Sequence, residues 1–217
     1  MNGEGGALSG LSDDLGTVYG AADPSEARAA YDRWAESCDA ENIANGFRLA
    51  GLAATMVARH VPPGDGPILE AACGTGQLGE HLRLFGYGDL HGLDLSPGML
   101  AVAARLGAYA SLAEHDLSEP IPAPDGAYRA ALCFGAFGPG HAPVGTLDDL
   151  ARVTRPGGHV IFNVRSDSFE EQGFGARLRS LEADGIWTKL DETADARVFL
   201  LSEPELKVRL FAFRVGA

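Results

Sequence analysis

The chain has 217 residues, 46% hydrophobic and 22% charged, a composition that suits one globular domain and excludes wholesale disorder. Its 17 basic and 30 acidic residues give a net charge of −13, which opposes binding to nucleic acid or to an anionic membrane. The three cysteines lack the spacing of a disulfide framework or a metal site, so we predict neither. Without a basic leader or an apolar run of bilayer length, we expect a cytoplasmic protein.

The first part of the chain predicts an arm followed by helices. Residues 1–22 are rich in Gly, Ser and Asp without periodicity, and we expect a flexible arm that orders over a bound ligand. A helical pattern begins after Asp23, the predicted N-cap, and a second helix is predicted at about 43–60. The predicted arm, helical lid and main domain span residues 1–22, 23–62 and 63–217.

The main domain alternates short apolar runs with helical stretches. Strands are predicted near 67–73, 90–95, 110–115, 129–134, 159–164, 186–190 and 207–215, and helices near 77–85, 97–106, 146–153 and 169–183. Strands separated by helices form a parallel sheet covered on both faces, whereas the last two lack a helix between them and should pair antiparallel. We therefore predict an α/β fold, a Rossmann-like, doubly wound, seven-stranded, mostly parallel sheet with an antiparallel C-terminal hairpin.

The strongest functional signal is a glycine-rich turn between the first predicted strand and its helix. It reads Glu70-Ala71-Ala72-Cys73-Gly74-Thr75-Gly76 and is followed by Gly79. Glycines at such a turn let the backbone approach a ligand closely, with free amides facing it. The same glycines satisfy the GxGxxG pattern of nicotinamide-dependent oxidoreductases, so this motif alone leaves that function open.

Acidic side chains are predicted at one edge of the sheet, at the ends of three neighbouring strands. Glu70 should face a cleft, because an unpaired carboxylate is costly to bury. Asp94 follows Gly74 by about 20 residues, the separation that places a carboxylate beneath a ribose diol. Asp116 ends the third strand, although it could simply cap the turn that follows. Open α/β sheets bind ligands at this edge.

Four blocks of sequence, in order, carry a family resemblance. They read E-A-A-C-G-T-G, G-L-D-L-S-P-G-M-L, E-H-D-L and R-P-G-G-H-V, and they resemble the class I S-adenosylmethionine-dependent methyltransferases over about residues 24–215. Within that class, YDRWAESCD, LHGLDLSPGML and LEADGIW resemble a group of methyltransferase-like proteins, from which we carry over no acceptor. The resemblance implies S-adenosylmethionine as cofactor, and we expect a small-molecule acceptor.

The resemblance also implies roles at matching positions. Glu70 would hold the methionine amino group, Asp94 the ribose hydroxyls and Asp116 the adenine amino group, while Ser96 and Met99 would flank the adenine. The implied cofactor-binding residues are Glu70, Cys73, Gly74, Thr75, Gly76, Asp94, Leu95, Met99, Asp116, Leu117 and Phe134. Cys38 is a departure, because the family often has tyrosine at that position.

Candidates for handling the acceptor come from segments over the same edge. His141, in a glycine-proline loop after the fourth strand, is the candidate base, and Tyr31 is the second catalytic candidate. Trp34, one helical turn from Tyr31, and Arg165, at the end of the fifth strand, are candidates for substrate binding. We expect Arg165 to face the cleft and to pair with an acidic acceptor or with a nearby carboxylate. The competing interpretations are a surface histidine, core packing of the two aromatic residues and a binding protein without catalysis. The sequence gives no oligomeric state.

Overall fold

The computed structural model describes residues 16–18, 20–21, 24–64 and 66–216. Most of the predicted arm and the predicted N-cap Asp23 lie outside these residues. The helices α1 (Pro24–Trp34), α2 (Cys38–Ala44) and α3 (Leu49–His60) precede the first strand. Among the described residues, no helix has the length and apolar character needed to cross a bilayer.

The single helix predicted at 43–60 is wrong, because the chain breaks between α2 and α3. Asn45 caps α2, and Gly46 follows with a left-handed φ of 71° that a continuing helix cannot adopt. Phe47 then forms an isolated antiparallel bridge with Phe199. This bridge ties the helical segment to the far end of the chain.

From residue 68 onward, strands and helices alternate as predicted. The first set comprises β1 (Ile68–Ala71), α4 (Gln77–Leu84), β2 (Leu90–Asp94), α5 (Pro97–Leu106), β3 (Ser111–Glu114), β4 (Tyr128–Cys133), α6 (Thr146–Val153) and β5 (Thr154–Arg165). The second comprises α7 (Ser168–Glu171), α8 (Phe174–Ala183), β6 (Trp187–Glu192), β7 (Ala196–Arg197) and β8 (Lys207–Val215). The helix predicted at 169–183 is thus two helices, since Gly173 has a φ of 80° between them.

The strands form one sheet in the order β3-β2-β1-β4-β5-β8-β6, with the two-residue β7 paired to β8. Strands β1 to β5 are parallel, and β8 is antiparallel to both β5 and β6. The predicted fold class is confirmed, with seven predicted strands and the short β7 in addition. The antiparallel β8 distinguishes this sheet from the all-parallel dinucleotide fold.

Each face of the sheet buries its own apolar cluster, because successive strand residues point to opposite sides. In β4, Leu132 joins the cluster beneath α1, α3, α4 and α5, whereas Ala131 joins the cluster beneath α6 and α8. The strand order reverses direction between β1 and β4. In an open α/β sheet this reversal leaves a crevice at the carboxyl ends of the strands.

Candidate active site

A cavity of about 280 Å³ occupies this crevice. It is bounded by the ends of β1, β2 and β4, by α1 and α2, and by Val198 and Phe199 after β7. Most of the predicted site residues line it, namely Tyr31, Trp34, Glu70, Cys73, Gly74, Thr75, Asp94, Leu95, Met99, Asp116, Leu117, Phe134 and His141. Gly76, Ser96 and Arg165 do not line it. The strand ends that the sequence indicated therefore meet at one cavity.

The glycine turn opens directly onto the cavity at Gly74. Its φ is 53°, and beyond its chain neighbours no atom lies within 4 Å of the position a Cβ would take. A ligand can therefore approach the backbone of this residue closely. Gly76 instead begins α4 with a φ of 88° and packs against Tyr109 and Ala103. The packing gives Gly76 a structural role in the turn, and its implied cofactor contact stays a prediction.

Asp94 is held in place by two backbone amides. Its Oδ2 accepts from the Gly74 amide at 2.7 Å and its Oδ1 from the Ser96 amide at 2.9 Å. Burial raises the pKa of Asp94, while these amides act to lower it. Each carboxylate oxygen keeps acceptor capacity beyond one amide, so the oriented side chain can accept two hydroxyl groups of a ribose.

Ser96 connects the cavity wall to α1 instead of contacting a ligand. Its hydroxyl accepts from the Met99 amide at 3.0 Å, which caps α5, and donates to Asp32 Oδ1 at 2.6 Å. Ser96 is fully buried. The predicted adenine contact is wrong for Ser96, whereas Met99 does line the cavity.

Glu70 is buried at the cavity wall, and sequence reasoning missed its partner, Tyr109. The Tyr109 hydroxyl donates to Glu70 Oε2 at 2.8 Å. Burial raises the pKa of Glu70 to about 8, and the bond from Tyr109 acts in the opposite direction. A Cβ at Gly79 would lie 2.4 Å from the Tyr109 ring, so the third glycine of the motif makes room for this tyrosine. Gly79 was therefore the sequence feature that could have indicated a large side chain packed against this helix.

Asp116 lies two residues beyond β3 and serves a turn as well as the cavity. Its Oδ1 accepts from the Ser118 amide at 2.8 Å and caps the turn that follows. Its side chain also lines the cavity beside Leu117. Thr146, at the start of α6, donates to the Leu117 carbonyl at 3.0 Å and fixes this part of the wall.

The helices before the sheet are tied to the glycine turn by Asp39 in α2. Its Oδ1 accepts from Thr75 Oγ1 at 2.6 Å and from Gln77 Nε2 at 2.8 Å. Neighbouring Cys38 lines the cavity, accepts from Asn42 Nδ2 at 3.3 Å, and burial raises its pKa to about 12. At neutral pH this residue is therefore a packed thiol, and the phenolic group common at this position is replaced by a smaller apolar one.

The two catalytic candidates are in direct contact. Tyr31 Oη lies 2.8 Å from His141 Nε2, and His141 Nδ1 lies 2.7 Å from the Pro139 carbonyl. Because a carbonyl only accepts, Nδ1 carries the proton, and Nε2 of the neutral ring accepts from the tyrosine. Burial lowers the pKa of His141, and Arg165 acts in the same direction. The imidazole is thus a neutral acceptor at the cavity wall.

The prediction that Arg165 faces the cavity is wrong. Its guanidinium binds Asp167 through Nε at 3.1 Å and Nη2 at 2.5 Å, and its stem packs behind Gly138. A Cβ at Gly138 would lie 2.6 Å from Arg165 Cδ. Arg165 therefore supports the loop that carries His141, and it does not line the main cavity.

Comparison with known proteins identifies the family to which the chain is similar. A family model described as a methyltransferase domain matches residues 68–158. Methyltransferase-like protein 27 of Homo sapiens is 35% identical over 193 residues, which cover 86% of this chain and 78% of that protein. Malonyl-acyl-carrier-protein O-methyltransferase of Serratia marcescens is 34% identical over 152 residues, 67% of this chain, and the chain spans about half (55%) of its length.

The fold is shared with solved structures as well. A TehB-like S-adenosylmethionine-dependent methyltransferase from Corynebacterium glutamicum superposes with a TM-score of 0.61 at 20% identity, covering 87% of this chain and 99% of that chain. The family model and the relative at 35% identity decide between the two functions that the glycine motif left open. The chain belongs to the class I S-adenosylmethionine-dependent methyltransferases, and S-adenosylmethionine is its cofactor.

Proposed function

We propose that the enzyme methylates a small-molecule acceptor, bound where Tyr31 and His141 meet at the cavity wall. The observation that carries this proposal is the 2.8 Å contact between Tyr31 Oη and His141 Nε2, in the cavity that Asp94 also lines. The predicted helical lid, residues 23–62, contributes α1 and α2 to that wall. An acceptor enclosed by these helices must be small enough to enter the cavity.

The residues at the strand ends fit the cofactor's functional groups. Glu70 would bind the methionine ammonium group, Asp94 the ribose hydroxyls, and Asp116 with Met99 the adenine, while Phe134 would lie on the methionine side. When bound, S-adenosylmethionine supplies a methyl group that a positively charged sulfur has already activated. Since two amides fix Asp94 beforehand, the site needs little rearrangement to hold the ribose.

Alignment supplies most of the acceleration that this reaction needs. Holding two reactants in line contributes about 7–11 kcal/mol to lowering a barrier. A positioned general base adds about 10²–10⁴-fold. The cavity provides the first effect through its walls, and the Tyr31–His141 pair provides the second.

The pair has the geometry of a short proton relay. Tyr31 Oη accepts the proton of the acceptor as its own proton passes to His141 Nε2. The charge that forms on the ring is stabilised by the bond from Nδ1 to the Pro139 carbonyl. Tyr31 faces the acceptor in this arrangement, and His141 receives the proton.

Calorimetry with S-adenosylhomocysteine tests the cofactor half of the proposal. We expect Asp94→Ala to weaken binding at least about tenfold, because it removes two hydrogen bonds to a charged group. Asp125→Ala is the matched control, since that carboxylate is exposed and lies away from the cavity. Unchanged binding by Asp94→Ala would contradict the proposed role.

Labelled S-adenosylmethionine tests the acceptor half. A cell extract divided by ultrafiltration into small molecules and macromolecules is incubated with the enzyme and the methyl-labelled cofactor. We expect enzyme-dependent label in the small-molecule fraction, with His141→Gln as the control of reduced transfer. Label that enters only the macromolecular fraction would overturn the small-molecule proposal.

A further inference from the structure

We infer that the acceptor is an electrically neutral, largely apolar molecule that presents its methyl-accepting atom as a hydroxyl group, not as a carboxylate. This inference rests on the proposed function and specifies its substrate class. It follows from the charge of the cavity, from the aromatic side chains that line it and from the proposed proton relay.

Among the described residues, those lining the cavity include three carboxylates and neither lysine nor arginine. The one guanidinium expected there, that of Arg165, lies outside the lining and is bound by Asp167. Residues 1–27 contain no lysine, arginine or histidine, so the predicted arm has no basic side chain to contribute to the cavity. Arg28 itself pairs with Glu114 at 2.6 Å. Among the described residues, the lining therefore offers an anion neither lysine nor arginine, and its two histidines are His115 and His141.

An anionic acceptor would be strongly disfavoured in this environment. It would lose its hydration on entry and gain no lysine or arginine partner in the lining. It would also meet the field of Glu70, Asp94 and Asp116 when these are ionised, and like charges at close range repel. A neutral molecule avoids both costs.

Four aromatic side chains line the part of the cavity where the acceptor is proposed to bind. The rings of Tyr31 and Trp34 stack with centroids 6.4 Å apart and an interplanar angle of 27°. Phe47 and Phe199 form a second pair with centroids 5.1 Å apart, and all four side chains line the cavity. Aromatic walls with a few placed polar groups favour a flat apolar ligand, oriented by one hydrogen-bonding group.

The relay also indicates an acceptor that carries a proton. A carboxylate has no proton to lose, whereas a hydroxyl must lose one as its oxygen is methylated. The acceptor oxygen forms a bond to the methyl carbon, and the carbon–sulfur bond breaks with its electron pair remaining on sulfur. The hydroxyl proton passes to Tyr31 Oη while the tyrosine proton passes to His141 Nε2, so charge and atoms balance.

A matched pair of ligands tests the inference. Para-cresol and para-toluate share a methyl-substituted ring and differ in bearing a neutral hydroxyl or a carboxylate. In calorimetry with enzyme saturated with S-adenosylhomocysteine, we expect para-cresol to bind at least about tenfold more tightly than para-toluate. Equal affinity, tighter binding of para-toluate, or binding of neither ligand would overturn the inference.

A charge-introducing variant supplies the second arm. Ala50 lines the cavity on α3, and Ala50→Arg should reverse the preference toward para-toluate in enzyme saturated with S-adenosylhomocysteine. The exposed variant Thr55→Arg on the same helix is the control, with no reversal expected. Wild-type enzyme that fails to bind S-adenosylhomocysteine would contradict the proposed function. Normal binding of it together with a preference for the carboxylate would contradict this inference alone.

Discussion

The hydroxyl of Tyr31 and Nε2 of His141 lie 2.8 Å apart, although 110 positions separate the two residues in the chain. The contact joins α1 to the loop after β4, and the Pro139 carbonyl fixes which ring nitrogen accepts. In the proposed relay, one element supplies the group that faces the acceptor, and another supplies the group that receives its proton. The proposed relay therefore requires α1 to be docked against this loop.

Removing either member of this pair should reduce turnover without affecting the cofactor. We expect Tyr31→Phe and His141→Gln each to lower kcat about 10²–10⁴-fold, because each interrupts the same proton transfer. The measurement is methyl transfer from labelled cofactor to the acceptor identified by fractionation, with S-adenosylhomocysteine affinity as the control. Since the residues act as a unit, the double variant should be scarcely slower than either single one. Fully additive losses would contradict a relay.

Tyr109 should position Glu70 for the cofactor's ammonium group. We expect Tyr109→Phe to weaken S-adenosylhomocysteine binding about tenfold, because a hydrogen bond to a charged group is worth about 1.5–3 kcal/mol. The variant should also shift the pH dependence of binding upward, since the lost bond favours the ionised carboxylate. Tyr87→Phe is the control, because Tyr87 is buried but donates to the Val61 carbonyl outside the site. Equal effects of both variants would indicate a purely structural role.

The raised pKa of Glu70 makes the stability of the free enzyme fall as pH rises. Burial raises this pKa from 4.5 unfolded to about 8 folded, so the folded state binds the extra proton between these values. The stabilisation is complete below pH 4.5 and is lost as pH rises through 8, at up to about 1.4 kcal/mol per pH unit. Glu70→Gln should abolish this slope in urea unfolding, whereas the exposed Glu80→Gln should keep it.

Cofactor binding should show the opposite pH dependence. The ammonium group requires ionised Glu70, so affinity for S-adenosylhomocysteine should increase as pH rises from about 6 to about 8. Calorimetry across this range checks the trend. An affinity that does not change with pH in the wild-type enzyme would show that Glu70 is already ionised.

Ala72 should be replaceable by glycine with a gain in stability. It follows β1 with a φ of 61°, a left-handed conformation that costs an L-residue roughly 1–2 kcal/mol. We expect Ala72→Gly to raise the free energy of unfolding by about 0.5–1 kcal/mol, after the entropy of the added glycine is subtracted. Ala71→Gly, within β1 and fully buried, should instead destabilise the protein. Urea unfolding compares the stability of the two variants. A lower free energy of unfolding for both would show that Ala72 is not strained.

The sheet was predictable because its parallel strands are apolar runs bounded by glycine and helical segments. Ile68–Ala71 and Leu90–Asp94 were located within a few residues. The breaks at Gly46 and Gly173 were missed, because a glycine after a helical pattern either continues it at a cost or ends it. Tertiary contacts, such as the Phe47–Phe199 bridge, decide which.

The positions of site residues were predictable where the motif determines the backbone conformation. They were less predictable where a side chain has several possible partners. Asp94 and Gly74 are brought together by adjacent strands, as their spacing indicates. Arg165 was assigned the wrong direction, because Asp167, two residues later, attracts its guanidinium. Tyr109 was missed because its position depends on a tertiary contact, in which its ring packs against Gly79 where a side chain would otherwise lie.

The placement of β8 bears on how the protein is made. Residues 207–215 lie between β5 and β6 in the sheet, so the hydrogen-bonding edge of β5 has no partner until this late segment leaves the ribosome. Nascent chains halted before residue 207 should therefore present an open strand edge and remain sensitive to protease and to chaperone capture. The sheet is then completed when β8 pairs with the edge of β5 and in turn provides the partner strand for β6.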